Sequence, residues 1–159
     1  MNIIKFNPEL NYELNVPVSE RMIDGFYDGR AGGTFMEYLI ASVFTGVRCS
    51  SKDSPDAADL TTQSGELIEV KSSAESTNTT KMLTSYEIRN GSGTGTRKKS
   101  QVKWLNTDYF AICRYVPVGR RALRVRIVFI KTNGPMITRF SKKEFEAAWA
   151  RNKPVKIKD

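Results

Sequence analysis

The sequence predicts an α/β or α+β fold. Three observations support it: an amphipathic helical pattern in the first third of the chain, two stretches of strand alternation folded about glycine-bearing turns, and a capped helix near the C-terminus. With 159 residues and 40% apolar content, the chain is the size of one compact domain and can bury one core.

Residues 1–29 mix short apolar groups with Pro8, Pro17, asparagines and acids, which predicts short helical or irregular pieces and a candidate dimerisation arm against a partner subunit. Over residues 30–44, Phe35, Met36, Leu39, Ile40 and Val43 fall within one arc at about 100° per residue, so this segment reads as a helix packed on a core. Gly46 is its stop signal. Glu37 lies at the rim of the apolar arc, about 20° round the helix from Phe44. Residues 47–49 read as a short strand and 50–55 as a loop.

A hairpin follows. Residues 58–62 and 66–71 are strand-like and flank Gln63-Ser64-Gly65, whose glycine suits the left-handed position of a three-residue loop. Residues 72–80 are polar and rich in Ser and Thr, and 82–88 are a further candidate strand. Residues 90–96 are glycine-rich and run into Arg97, Lys98 and Lys99, so 90–103 reads as a mobile basic loop ending at Lys103. Residues 108–116 and 122–131 form a second hairpin about Pro117-Val118-Gly119, with Leu123, Val125, Ile127 and Phe129 alternating with Arg124 and Arg126. Ser141 and Glu144 make a capping box ahead of Phe145, Ala148 and Trp149, and Pro154 lies beyond the last helix. Trp104 and Trp149 are expected as core or interface anchors.

Composition narrows the chemistry. The chain has no histidine and only Cys49 and Cys113, which excludes Ser-His-Asp and Cys-His catalysis, ordinary zinc sites and a disulfide framework. Both cysteines read as small apolar residues. No stretch approaches the roughly 20 apolar residues of a membrane span, and the N-terminus lacks the order of a secretory signal, so a cytoplasmic protein without membrane partners is expected. Charge is segregated: residues 1–96 hold 8 basic and 13 acidic side chains, and residues 97–159 hold 17 basic and 4 acidic. A cationic C-terminal third suits a polyanion, because Lys and Arg release counterions condensed on phosphates; the alternative is solubility alone.

Strand alternation puts Glu69 and Lys71 on one face, with Ile68 and Val70 turned to the core. If Thr62 pairs with Glu66 across the loop, Asp59 stands directly opposite Glu69, about 5 Å away at Cβ. Two carboxylates that close repel unless a cation lies between them, and hard oxygen ligands suit Mg²⁺. Lys71 beside them can hold a phosphate oxygen or orient a water. Asp56, next to Pro55, is the rival acid; in this register it would fall beyond the strand, opposite Ser72.

The run Ser54-Pro55-Asp56-Ala57-Ala58-Asp59-Leu60, then Gly65, then Ile68-Glu69-Val70-Lys71-Ser72 resembles the PD-(D/E)xK nuclease signature, in its short-hairpin form found in PvuII-type restriction enzymes and archaeal Holliday-junction resolvases. The resemblance covers roughly residues 30–75. It implies a restriction-endonuclease-like core, a central mixed β-sheet flanked by helices. It also implies a metal held by Asp59, Glu69 and the Val70 backbone carbonyl, with Lys71 as the fourth catalytic group and Glu37 as the helix glutamate able to join the metal. Mg²⁺ is the implied cofactor, with Mn²⁺ as substitute, and cleavage leaves a 5′-phosphate. Glu-x-Lys alone is common on solvated strands, and Glu37 also reads as an ordinary surface carboxylate. The expected function is a restriction-type, sequence-specific endonuclease of double-stranded or branched DNA, acting as a homodimer, with Arg97, Lys98, Lys99 and Lys103 on phosphates. A Holliday-junction resolvase, a homing or phage repair nuclease, and a non-catalytic DNA-binding protein are the alternatives.

Overall fold

The computed structural model describes residues 4–27, 33–50, 58–82, 104 and 106–157. Its first elements are β1 (Ile4–Lys5), β2 (Tyr12–Pro17), α1 (Glu20–Tyr27), α2 (Gly33–Val43), β3 (Phe44–Thr45), β4 (Arg48–Cys49), β5 (Leu60–Thr61) and β6 (Leu67–Ala74). They are followed by β7 (Thr79–Lys81), β8 (Tyr109–Val118), β9 (Ala122–Lys131), β10 (Arg139–Ser141), α3 (Lys142–Trp149) and β11 (Val155–Ile157). The architecture is α+β. The central sheet has seven strands in the order β11-β2-β9-β8-β6-β5-β4, with β6–β8 and β11–β2 parallel and the other pairs antiparallel. Small sheets β1–β3 and β7–β10 lie outside it.

Phe110 to Tyr115 of β8 are all buried, as expected of a strand covered on both faces. Alternation divides their side chains between two cores. Ala111, Cys113 and Tyr115 join Ile68 and Val70 of β6, and Met36, Leu39, Ile40 and Val43 of α2, on one face. On the other, Phe110, Ile112 and Val128 pack with Phe145 and Ala148 of α3, Met82, Phe140 and Trp104. Trp104 stacks on Phe110 at 5.3 Å between ring centroids, the core role expected of it.

An ion network ties α3 to the second face. Arg114 and Arg126 stand opposite each other on β8 and β9. Arg126 forks onto Glu75 with two bonds of 2.7 Å and reaches Glu146 of α3 at 2.5 and 3.0 Å. Arg114 is fully buried, and its Nη2 donates to the carbonyls of Ala74, Glu75 and Thr77, fixing the turn that leaves β6. The Phe145 ring lies 5.7 Å from the Arg114 guanidinium and 5.0 Å from that of Arg126. Burial opposes the charge on Arg126, but its bonds to Glu146 and Glu75 outweigh that and raise its pKa. Arg126, which alternates with the apolar residues of β9, is therefore committed inside the protein, whereas Arg124 is exposed.

Other expectations are corrected by long-range pairing. Tyr12–Pro17 is a strand between β9 and β11, with Tyr12, Leu14 and Val16 buried, and not an irregular piece. Glu20–Tyr27 is a helix, in keeping with the short helical pieces expected of residues 1–29. β6 runs on through Ser72 and Ser73 to Ala74, because β8 continues to offer a parallel partner as far as Tyr115. Pro117 belongs to β8, and the turn falls at residues 119–121 with Gly119 at φ +67°. The capping box is present: Ser141 Oγ accepts from the Glu144 amide at 3.0 Å, and the Ser141 amide donates to Glu144 Oε1 at 3.1 Å. Residues 83–88 of the candidate strand lie outside the described residues. Among the described residues, no helix is long and apolar enough to cross a membrane.

The Arg126 hydrogen bond holds the Glu146 carboxyl below its ordinary pKa. A carboxyl depressed on folding contributes stability above its unfolded pKa, about 4.3, and loses it as the pH falls through the folded value. Urea denaturation across the acid range is expected to show Glu146→Gln with a shallower loss of stability than the parent; equal slopes would remove Glu146 from the acid response.

Candidate active site

The β5–β6 hairpin carries the site. Its loop closes through Thr62 N–H to Glu66 O at 2.8 Å and Gly65 N–H to Thr62 O at 3.0 Å, with Gly65 at φ +88°. That backbone conformation is open to glycine and disfavoured for other residues. The Thr62 hydroxyl accepts the Glu66 amide at 3.0 Å, and Ser64 Oγ donates to Glu66 Oε1 at 3.1 Å. The register is Leu60 with Ile68 and Thr61 with Leu67, the one expected from the three-residue loop. One further step sets Asp59 across from Glu69.

Asp59 does more than face the strand. Its Oδ2 accepts the Val70 N–H at 2.9 Å, and its own carbonyl accepts the Ser50 N–H at 3.0 Å. The carboxylate thus takes the place of the next rung of the ladder, beyond the end of β5. The N–H and C=O of one strand residue point the same way, so the Val70 carbonyl also opens toward Asp59. Glu69 is 4% exposed, and Lys71 Nζ lies 3.7 Å from its Oε1. Their neighbours on β8 are Phe110 and Ile112, which belong to the second core. Apolar walls on that side weaken screening and strengthen the pull between amine and carboxylate. Asp108 secures the start of β6: its Oδ2 accepts the Leu67 N–H at 2.8 Å, and its amide donates to Leu67 O at 2.9 Å.

Asp59, Glu69, Val70 and Lys71 are therefore brought together. Glu37 is half-buried on α2, whose buried side chains pack on the Ile68 and Val70 side of the sheet, opposite the face that carries Glu69 and Lys71. Among the described residues, no group of three acidic or cysteine side chains is gathered to hold one metal ion. The oxygen donors Asp59, Glu69 and the Val70 carbonyl still match the hard-ligand chemistry of Mg²⁺, which keeps part of its shell as water. Asp56, Arg97, Lys98, Lys99 and Lys103 lie outside the described residues.

Ser73 was not singled out from the sequence. It continues the stride of Glu69 and Lys71 along β6, and its Oγ shares a 2.7 Å hydrogen bond with Thr80 Oγ1 of β7. Period-two spacing was the available signal; the serine-rich composition of 72–80 masked it. Asp108 was likewise read only as the start of a strand.

The chain matches no family model, no curated protein and no solved structure.

The bond to Val70 makes a stability prediction separate from any activity. Asp59→Asn keeps an acceptor and is expected to stay within about 0.5 kcal/mol of the parent in urea denaturation, whereas Asp59→Ala strands a strand amide and costs about 1–3 kcal/mol. Equal stability of the two variants would show that the carboxylate does not hold β6.

Proposed function

We propose that the chain is a metal-dependent DNA endonuclease on a restriction-endonuclease-like core, cutting phosphodiesters at the Asp59–Glu69–Lys71 hairpin. One observation carries the reading: the hairpin register sets Asp59 on the Val70 amide beside a buried Glu69 that holds Lys71 at 3.7 Å. The cationic C-terminal third supports a polyanionic substrate.

Asp59, Glu69 and the Val70 carbonyl would hold Mg²⁺, with Mn²⁺ as substitute. The ion, when bound, would lower the pKa of a coordinated water and offset charge on the scissile phosphate. Lys71 carries its positive charge to the same face, where it would orient the attacking water and a phosphate oxygen. Glu69 keeps the amine from swinging away. The Val70 N–H holds Asp59 in place before substrate arrives, so little reorganisation is needed on binding. One such hairpin per chain makes a homodimer the form suited to cutting both strands.

The test is incubation of the full chain with supercoiled, linear and four-way-junction DNA and Mg²⁺, followed by sequencing of the ends. Cleavage leaving 5′-phosphates is expected, abolished by EDTA. Glu69→Gln and Lys71→Ala are expected to cut at least about 100-fold more slowly while still binding DNA, because these groups act mainly in the transition state. Parental rates in either variant, or cutting in EDTA, would overturn the reading. Salt-sensitive binding with no cutting of any substrate would make the chain a non-catalytic DNA-binding protein.

A further inference from the structure

A cleft of about 580 Å³ lies between the turn ahead of β2, the end of β9 and the segment that follows α3; its walls include Glu9, Asn11, Phe129, Lys131, Asn133 and Arg151. The volume is within the usual range of small-molecule sites, about 300–1,000 Å³. Three features give the cleft a chemistry.

Asn11 is 2% exposed, and its Nδ2 donates to the carbonyls of Ala148 and Trp149, each at 3.0 Å. Both partners accept only, so the orientation of the amide is fixed. Its Oδ1 accepts no hydrogen bond among the described residues and is not sealed from solvent, which leaves an accessible acceptor on the wall of the cleft. Such an acceptor favours a ligand that brings an N–H.

The second feature is an ion pair between Lys131 and Glu9, with Arg151 as a further cation on the same cleft wall. Lys131 Nζ is 2.5 Å from Glu9 Oε1, in a pair whose side chains are 49% and 67% exposed. The Lys131 bond, with Arg151 nearby, lowers the Glu9 pKa. Arg151 spends its Nε on the Ala148 carbonyl at 3.3 Å, leaving the η nitrogens of the fork for another acceptor. Glu9 thus occupies a position prepared for an anion, held there by a solvent-exposed pair of little energy. A doubly charged phosphate brings more charge than a carboxylate to the ammonium and the fork.

The third is placement. Ile130, on the wall, lies in one row across the sheet with Phe110 and Glu69. Two strand spacings, about 10 Å, separate the cleft's row end from the candidate site.

We infer that this cleft binds a nucleoside monophosphate unit, its phosphate displacing Glu9 from Lys131 and reaching the Arg151 guanidinium, and an exocyclic amine of its base donating to Asn11 Oδ1. The unit can be a free nucleotide or the phosphorylated end of a strand. The site is built from its own donors and stands whether or not Asp59 and Glu69 cut DNA.

The experiment is a titration of the ¹⁵N-labelled full chain, followed by NMR, with dAMP, deoxyadenosine, inorganic phosphate and a 5′-phosphorylated oligonucleotide ending in dA. Saturable shifts at the amides of Leu10, Lys131 and Asn152 are expected with dAMP at submillimolar concentration, with deoxyadenosine and phosphate each at least about tenfold weaker. Lys131→Ala and Arg151→Ala are expected to weaken dAMP at least about tenfold, and Glu9→Gln to tighten it, because it frees Lys131 and removes the competing charge. Lys131 is exposed, so its variant keeps the readout if Arg151→Ala unsettles the end of α3. Tighter binding of the oligonucleotide than of dAMP assigns the strand end as the ligand; the reverse order assigns the free nucleotide. No shifts at millimolar dAMP, or equal binding by parent, Lys131→Ala and Glu9→Gln, overturns the inference.

Discussion

Gly65, at φ +88°, lets the chain reverse through three residues, and that reversal sets Leu60 against Ile68 and Thr61 against Leu67. Every feature of the candidate site inherits this register. A slip of one residue would move the side chains of β6 to opposite faces, sending Glu69 and Lys71 into the aliphatic core and Ile68 and Val70 away from it. The cost of burying a charge pair there, and of exposing two core residues, opposes the slip. Turn geometry and the hydrophobic pattern therefore select the same pairing.

The parallel pairing of β6 with β8 carries the same constraint into the core. Ile68 and Val70 join Ala111 and Cys113 under α2, while Glu69 and Lys71 lie beside Phe110 and Ile112 on the other side. One residue further along β8, Cys113 is so deeply buried that its thiol is pushed well above its ordinary pKa. Past Ser73, the turn is closed by Arg114, whose Nε and Nη1 are buried without hydrogen bonds among the described residues; Glu75 at 3.8 Å and the Phe145 ring offset the charge. The hairpin thus sits on a strand fixed at both ends, by Asp108 at its start and Arg114 at its finish. A rigid element of this kind suits the roles proposed for Glu69 and Lys71.

Legibility in the sequence followed the range of the forces involved. The hairpin register, the α2 stripe and the Ser141–Glu144 cap are local, and each could be read because period and turn chemistry agree within a few residues. Tyr12–Pro17 could not, since its alternation is short, bounded by prolines, and made a strand by β9 more than a hundred residues later. Arg126 looked like a surface cation on an alternating strand; only the arrival of Glu75 and Glu146 from distant segments shows that its charge is spent internally. The Asn11 acceptor was invisible for the same reason, because its donor side is used by the end of α3. Within the candidate site, residue types and spacing gave Asp59, Glu69 and Lys71. The Asp59 bond to the Val70 amide is a three-dimensional fact, as is the position of α2 on the opposite face from Glu69.

In the proposed site Asp59 and Glu69 hold one divalent cation beside Lys71, and Glu37 stands on α2, which packs on the other face of the sheet. Electron paramagnetic resonance of free Mn²⁺, titrated into the full chain without DNA, tests this directly. The account predicts one Mn²⁺ site in the parent that is lost in both Asp59→Asn and Glu69→Gln and retained in Glu37→Gln. Unchanged Mn²⁺ binding in Glu69→Gln, or its loss in Glu37→Gln alone, would contradict it.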